Sequence, residues 1–456
     1  MRRLLVATAA AVATAPALAA QATAPEPPAL DRRLPGIAAA PSPERLRRDL
    51  ATLVAFGTRH TLSDTVSDTR GIGAARRWIK AEFDRISASC GGCLEVRFQR
   101  STVKGGGVAR VPADLELVNV VATLKGTTHP DRYVVMSAHF DSRVSDVMDA
   151  TSDAPGANDD GSGTVALLEA ARALIAHRYG KSIVFAALAG EEQGLLGGYA
   201  VAREARAQGW TIEGVLNNDI IGNVDGMDGV HDEKTFRIFS EPVPVDEPEG
   251  LRRTRRFTGG EVDGPSRQLA RYVERLARAT RKDATPKLVY RLDRFGRGGD
   301  HRAFNDEGYP AVRLTEGHEH YDRQHQDLRT EDGIRYGDVL EGVDPRYVAK
   351  VTGVNAAVLA SLAWAPPPPE QVRIRGAVSA ATTLTWEAPA GPAPAGYRVY
   401  WRDTTAPTWT RSRWVGARTE VTLEGVVIDD HLFGVASVGA DGNESVVQFP
   451  APAPSR

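Results

Sequence analysis

The chain has 456 residues, enough for two or three domains and for a sizeable core in at least one of them. Its hydrophobic fraction of 42% and charged fraction of 25% are those of an ordinary soluble globular protein. A formal net charge of -2 removes any electrostatic reason to expect nucleic acid as a partner.

Residues 1–20 read as a signal peptide. Arg2 and Arg3 form a positive start, residues 4–15 an Ala-rich apolar stretch, and Ala17-Leu18-Ala19 an A-x-A cleavage signal. The apolar stretch is too short to span a bilayer, and no later apolar segment reads as long enough to do so either. With no cysteine after the signal, a lipid anchor is not expected; the expected location is the periplasm or the cell exterior. Residues 21–42, rich in Ala and Pro, read as a flexible leader.

Residues 43–56 carry Leu46, Leu50, Leu53 and Val54 on one helical face, and residues 71–86 do the same with Ala75, Trp78, Ile79 and Phe83. Cys90 and Cys93 are the only cysteines. In an exported protein they are expected as a small-loop disulfide, since a redox pair would open a helix rather than come after one. Leu115–Leu124 reads as a strand, and the apolar run 133–138 as another that ends by delivering His139 and Asp141 to one face. A loop then carries Asp159 to the start of a helix over 164–176. Residues 182–189 are continuously apolar, the mark of a strand buried on both faces, and end at Gly190-Glu191-Glu192. Strands over 212–221 (with Asp219 near its end), 235–240 and 311–314 come next, with a helix over 266–280. Residues 225–265 are charged and read equally as a specificity lid or a surface insertion.

Alternating strands and helices predict an α/β domain over 43–365, with a mixed, largely parallel sheet flanked by helices. Ligands gather beyond the carboxyl ends of such strands. His139, Glu191, Glu192, Asp219 and a His-rich segment after Leu314 all lie there. Beyond the proline linker 366–369, short alternating runs over 370–450 predict a small β-sandwich. Its Trp386 and Tyr397 strands and its FGVASVGADGNES run resemble a fibronectin type III module, which implies a part that binds an unknown surface or spaces rather than catalyses.

His with several carboxylates and no thiolate suits zinc with open positions, with Mn²⁺ or Co²⁺ as substitutes. His139, Asp159, Glu192, Asp219 and a late His exceed what one ion needs, and a bridging carboxylate would let them serve two. Asp141 could orient His139, and Glu191 could carry the proton of an attacking water to a leaving amine.

Four motifs, HFD, GANDDGSG, AGEEQGLLGG and NNDIIG, resemble in order those of the co-catalytic di-zinc aminopeptidases, peptidase family M28, over about residues 43–363. The resemblance implies two zinc ions held by His139, Asp159 (bridging), Glu192, Asp219 and His325, with Asp141 orienting and Glu191 as general base. It implies hydrolysis of N-terminal peptide bonds in peptides or proteins by a metal-bridged hydroxide. Gly299-Asp300-His301 resembles a further family segment, read as structural or substrate-side. His325 fits the closing ligand better than His320, because residues 326–332 match the stretch just after the family's ligand. Gln324 stands where the family usually has Tyr, which leaves Tyr321 as the oxyanion candidate. A separate metal on His318 and His320 is the other use of that segment. Carboxypeptidase or glutaminyl cyclase chemistry on the same scaffold, or a catalytically inactive binding protein, are the alternative functions.

Overall fold

The computed structural model describes residues 26–453, so the signal peptide expected over 1–20 lies outside the described residues. The chain opens with α1 (Leu34–Ala39), α2 (Pro43–Val54) and α3 (Gly71–Ser89). Ser42 starts α2 by accepting the Arg45 N–H on its hydroxyl at 3.2 Å, and Pro43 sets the first helical φ. Cys90 and Cys93 are joined by a disulfide in the turn after α3, with Cα atoms 5.6 Å apart.

The chain continues through β1 (Leu94–Val103), β2 (Leu115–Leu124), β3 (His129–His139), α4 (Gly163–Leu174), β4 (Lys181–Leu188), α5 (Leu196–Ala207) and β5 (Thr211–Asn218). Next come β6 (Thr235–Ser240), α6 (Glu249–Phe257), α7 (Pro265–Thr280), β7 (Thr285–Val289), α8 (His301–Asp306) and β8 (Ala311–Glu316). A hairpin of β9 (Arg329–Glu331) and β10 (Ile334–Tyr336) precedes the long α9 (Pro345–Trp364).

The eight strands β1 to β8 form one mixed sheet in the order β1-β2-β4-β3-β5-β8-β6-β7. Its centre, β4-β3-β5-β8, is parallel, while β2 and β6 run antiparallel to β4 and β8. From β3 the chain steps to β4 on one side and then to β5 on the other. The end of β3 is therefore the crevice where α/β sheets take ligands.

Alternation along the strands feeds two layers. Val134, Met136, Ile183 and Phe185 join the core under α3, α4 and α9, while Val135, Val184 and Ala186 pack against Val201 and Ala205 of α5 and Phe304 of α8. α9 corrects one sequence expectation. Its 20 residues are long and apolar enough to cross a bilayer, yet it is the buried central helix of the first layer.

The leader is corrected as well, from residue 31 on. Leu34, Ile37 and Ala38 of α1 are buried against α9, and the Ala38 carbonyl accepts Arg281 Nη1 at 2.9 Å. At six residues α1 is too short to show a helical period, and tertiary burial orders it.

After α9, β11 (Glu370–Arg375), β12 (Ala381–Glu387), β13 (Gly396–Asp403), β14 (Arg411–Gly416), β15 (Glu420–Glu424), β16 (His431–Val438) and β17 (Ala451–Pro452) make two small sheets. Their orders are β15-β12-β11-β17 and β14-β13-β16, and Leu384, Trp386, Val399 and Phe433 are buried between them. This β domain docks on the first one through buried polar groups. Asp263 accepts Arg271 Nη1 and Arg402 Nη2, each at 2.7 Å. Tyr272 donates to the Glu444 carbonyl at 2.9 Å, and Ser361 to Asn443 Oδ1 at 2.8 Å.

Candidate metal centre

Four strand ends converge on one point. β3 ends at His139, which is buried, and two residues on Asp141 receives three donors: the Glu191 and Glu192 N–H groups at 3.2 Å each, and Thr61 Oγ1 at 2.9 Å. One carboxylate thus ties the end of β3 to the loop after β4. His139 Nδ1 lies 3.4 Å from Asp141 Oδ1 and 3.1 Å from the Asp141 carbonyl, which turns Nε2 toward the site.

Asp159 enters on the loop before α4. Asp338 accepts the N–H groups of Asn158, at 2.8 Å, and Asp159, at 2.7 Å, and so fixes that loop. The loop meets α4 at Gly163, where a Cβ would come within 2.6 Å of both the Asn218 carbonyl and the Asp160 carboxylate. Only glycine lets the helix start that close to β5.

Asp219 comes directly after β5, and Arg313 of β8 donates to its Oδ1 at 2.7 Å. The next residue, Ile220, is held at φ 60°, a left-handed conformation that costs a β-branched side chain about 1–3 kcal/mol. Hydrogen bonds on both sides hold it there: its N–H donates to Asp160, and its carbonyl accepts from the Glu316 N–H at 2.8 Å and Thr315 Oγ1 at 2.9 Å.

The side chains form two triads that share Asp159: His139 with Asp159 and Asp219, and Asp159 with Glu192 and His325. His139 Nε2 stands 3.2 Å from Asp159 Oδ1, while His325 Nε2 stands 2.9 Å from both Asp159 Oδ2 and Glu192 Oε1. Arg143 braces the second triad, with Nε 2.9 Å from Glu192 Oε2 and Nη2 2.6 Å from His325 Nδ1.

The electrostatics are those of a site that demands positive charge. Burial disfavours the His139 imidazolium, yet its bonds to Asp141 and Asp159 hold it well above the usual histidine range. Burial opposes the His325 cation too, but the charges of Glu192 and Asp159 lift it to about 10. Asp159 sits well below the carboxylate range: burial works against its charge, and His325 and then His139 overcome it. Glu192 falls to about 2, with burial again opposing and His325 prevailing. Glu191 behaves oppositely, pushed well above its ordinary value by burial, aided by Glu192 and Asp219. Asp219 is raised by burial despite Arg313.

A cavity of about 520 Å³ opens on the triads, with Asp159, Glu191, Glu192, Asp219 and His325 in its wall. Tyr321 is not in that wall; it is 57% exposed and outside both triads. His320 is outside them too, and His318 pairs with Asp228 at 2.7 Å, so among the described residues the separate pair of histidines assembles no ligand cluster. None of residues 225–265 lines the cavity: β6 belongs to the sheet, α6 buries no residue, and Asp263 serves the domain contact. Asp300 is buried beneath the site with neither oxygen hydrogen-bonded, raised to about 7 by burial.

Nothing in the sequence marks Arg143, Arg313 or Asp338, since isolated charged residues read as surface. The run RLDRFGRGGDHR, residues 291–302, is the one visible sign of a basic wall.

The profile of Peptidase family M28 matches residues 119–341. A probable zinc metalloprotease of Leptosphaeria maculans is 46% identical over 88% of this chain and 93% of its own length. One from Pyricularia oryzae is 45% identical over 90% of this chain and 82% of its own. Among solved structures, the LapA aminopeptidase of Legionella pneumophila aligns with a TM-score of 0.51 at 17% identity, covering 77% of this chain and 78% of that one. A glutaminyl cyclase from Fimbriiglobus ruber aligns at 0.50 with 16% identity, over 70% and 95%. Both share the fold.

Proposed function

The chain belongs to peptidase family M28, as a zinc metallopeptidase, and from that premise we propose that it is an exported aminopeptidase that works with two zinc ions. The observation that carries the reading is the sharing of Asp159: its two oxygens face different imidazoles, as a carboxylate bridging two cations requires. Two histidines and three carboxylates without thiolate fit zinc, and Mn²⁺ or Co²⁺ as substitutes. His139, Asp159 and Asp219 would hold one ion, and Asp159, Glu192 and His325 the other.

Zinc bound there supplies a Lewis acid for the scissile carbonyl and lowers the pKa of water. The protein's own groups do the rest. Glu191 belongs to neither triad, yet lines the same cavity, and its raised pKa suits a group that takes a proton from water and returns it to the leaving amine. Asp141 positions His139 and, through the Glu191 and Glu192 N–H groups, the base and its neighbouring ligand. Arg313 compensates Asp219. The intact second triad favours amide hydrolysis over the single-ion ring closure of a cyclase. The signal-peptide pattern of residues 1–20 supports export, and the C-terminal β domain, read as fibronectin type III-like, takes a spacing or binding role.

Metal content and hydrolysis measured on one purified sample test the reading. Two zinc ions per chain, with cleavage only when the peptide N-terminus is free, are expected. Equal cleavage of N-blocked peptides would overturn the aminopeptidase assignment, and no metal after zinc is supplied would overturn the centre itself.

A further inference from the structure

The cavity over the triads carries charge that the ligands do not explain. Five arginines line it: Arg110, Arg143, Arg294, Arg297 and Arg302. Three are occupied within the protein. Arg143 is engaged with Glu192, Arg294 with Asp293, and Arg297 with Glu319 at 2.7 Å. The other two have no carboxylate partner among the described residues. Arg110, on the loop between β1 and β2, spends one nitrogen on the Glu192 carbonyl at 2.6 Å. Arg302, near the start of α8, donates no side-chain hydrogen bond among the described residues, and its Nε is buried without an acceptor there.

A planar guanidinium is the group best matched to a carboxylate, since its parallel N–H donors meet both oxygens. Leaving such donors without an acceptor in a partly dry wall costs free energy that a bound carboxylate returns. With two zinc ions in place, the four carboxylates that line the cavity would be balanced. Arg143, whose partner Glu192 is one of those four, would then join Arg110 and Arg302 in setting the sign of the field a substrate meets.

Resting on the di-zinc peptidase reading, we propose that the preferred substrates of this site carry a carboxylate beside the scissile bond, received by Arg302 and Arg110. It comes from one of two sources, an acidic side chain flanking the bond or the free α-carboxylate of a dipeptide.

Matched peptides on the zinc-loaded full chain separate the sources. Glu-Leu-amide against Gln-Leu-amide and Leu-Glu-amide against Leu-Gln-amide read the two flanking side chains, and Leu-Leu against Leu-Leu-amide reads the terminal carboxylate. At least one pair is expected to favour the carboxylate by about tenfold or more in kcat/KM, the size of a hydrogen-bonded charge contact. That ratio should collapse in Arg302→Gln or Arg110→Gln and be partly kept in Arg302→Lys, which a purely structural role of the side chain would not produce. All ratios within twofold, or a ratio indifferent to both glutamine variants, would overturn the proposal.

Calorimetric binding of L-glutamate and L-glutamine to the same zinc-loaded proteins gives a readout without turnover. Tighter glutamate binding that is lost in the glutamine variants upholds the proposal even if no peptide with a free N-terminus is cleaved, a result that would sink the aminopeptidase reading alone. Equal binding of the two amino acids alongside equal cleavage of every pair sinks the proposal and leaves that reading standing.

Discussion

Glu191 and Glu192 are neighbours in sequence with opposite electrostatic fates, and that difference assigns their work. Glu192 faces His325 at 2.9 Å and is drawn down to about 2 against the effect of burial, as a ligand must be to stay ionised. Glu191 has no such partner and is raised by burial and by its neighbours' charge, which makes it a proton acceptor of useful strength. Glu191→Gln is therefore expected to cut kcat by about 10²–10⁴ with zinc content unchanged. Metal analysis and steady-state rates on one preparation check this, and near-normal turnover with zinc bound would remove Glu191 from the mechanism. At this scale the sequence is readable where chemistry is concentrated in short motifs: HFD and EE put metal-ligand side chains at strand ends, and DD puts one just before a helix. It is silent on the groups that support them. Arg313 is buried because Asp219 and Asp293 meet it from segments 94 and 20 residues away, and nothing in its own neighbourhood announces that.

Secondary elements are legible where burial leaves a pattern or a run length typical of one element type. β4 is buried along its whole length and reads as a continuous apolar run, and α2 alternates faces clearly, so both stand out in the sequence. α9 fails the same test for a physical reason: nearly every residue from Tyr347 to Ala363 is buried, so no polar face is left to mark a period. β1 fails for the reverse reason, being an edge strand with only Leu94 and Gln99 buried. What does start α9 visibly is its cap. Asp344 accepts the Arg346 N–H at 2.7 Å and the Tyr347 N–H at 3.3 Å, with Pro345 at the first helical position. Asp344→Ala should lower stability by about 1 kcal/mol. Because the Asp344 N–H donates to the Gly222 carbonyl through the backbone alone, that bond survives the substitution. Denaturant titration is the measurement; an unchanged midpoint would mean that packing of α9, not its cap, sets where the helix begins.

The whole molecule is held as one piece by polar groups that cross between its parts, which a proline linker at 366–369 would not suggest. Asn443 of the β domain accepts from Ser361 of α9 and donates to Asp31 of the leader at 2.8 Å, so three distant segments meet on one side chain. Asp263 does the same for Arg271 of α7 and Arg402 of β13, and both arginine side chains are only 1% exposed. Removing a shared carboxylate leaves two buried cations, a change that costs about 3–5 kcal/mol in an isolated pair. Here the lower figure applies, because Arg271 keeps bonds to the Val262 and Pro407 carbonyls and Arg402 keeps the Ala406 carbonyl. Asp263→Ala is thus expected to destabilise the protein by about 3 kcal/mol. The loss should be felt at the domain contact rather than at the metal centre, since Asp263 does not line the cavity. Limited trypsin digestion should then cut after Arg373 or Arg375, just beyond the linker, faster than in the wild type, while zinc content stays the same. If cleavage rate and thermal midpoint both hold, the β domain is docked by its other contacts and Asp263 is a bystander. If zinc is lost as well, the two domains share stability with the site, and the β domain supports catalysis by holding the α7 side of the sheet in place.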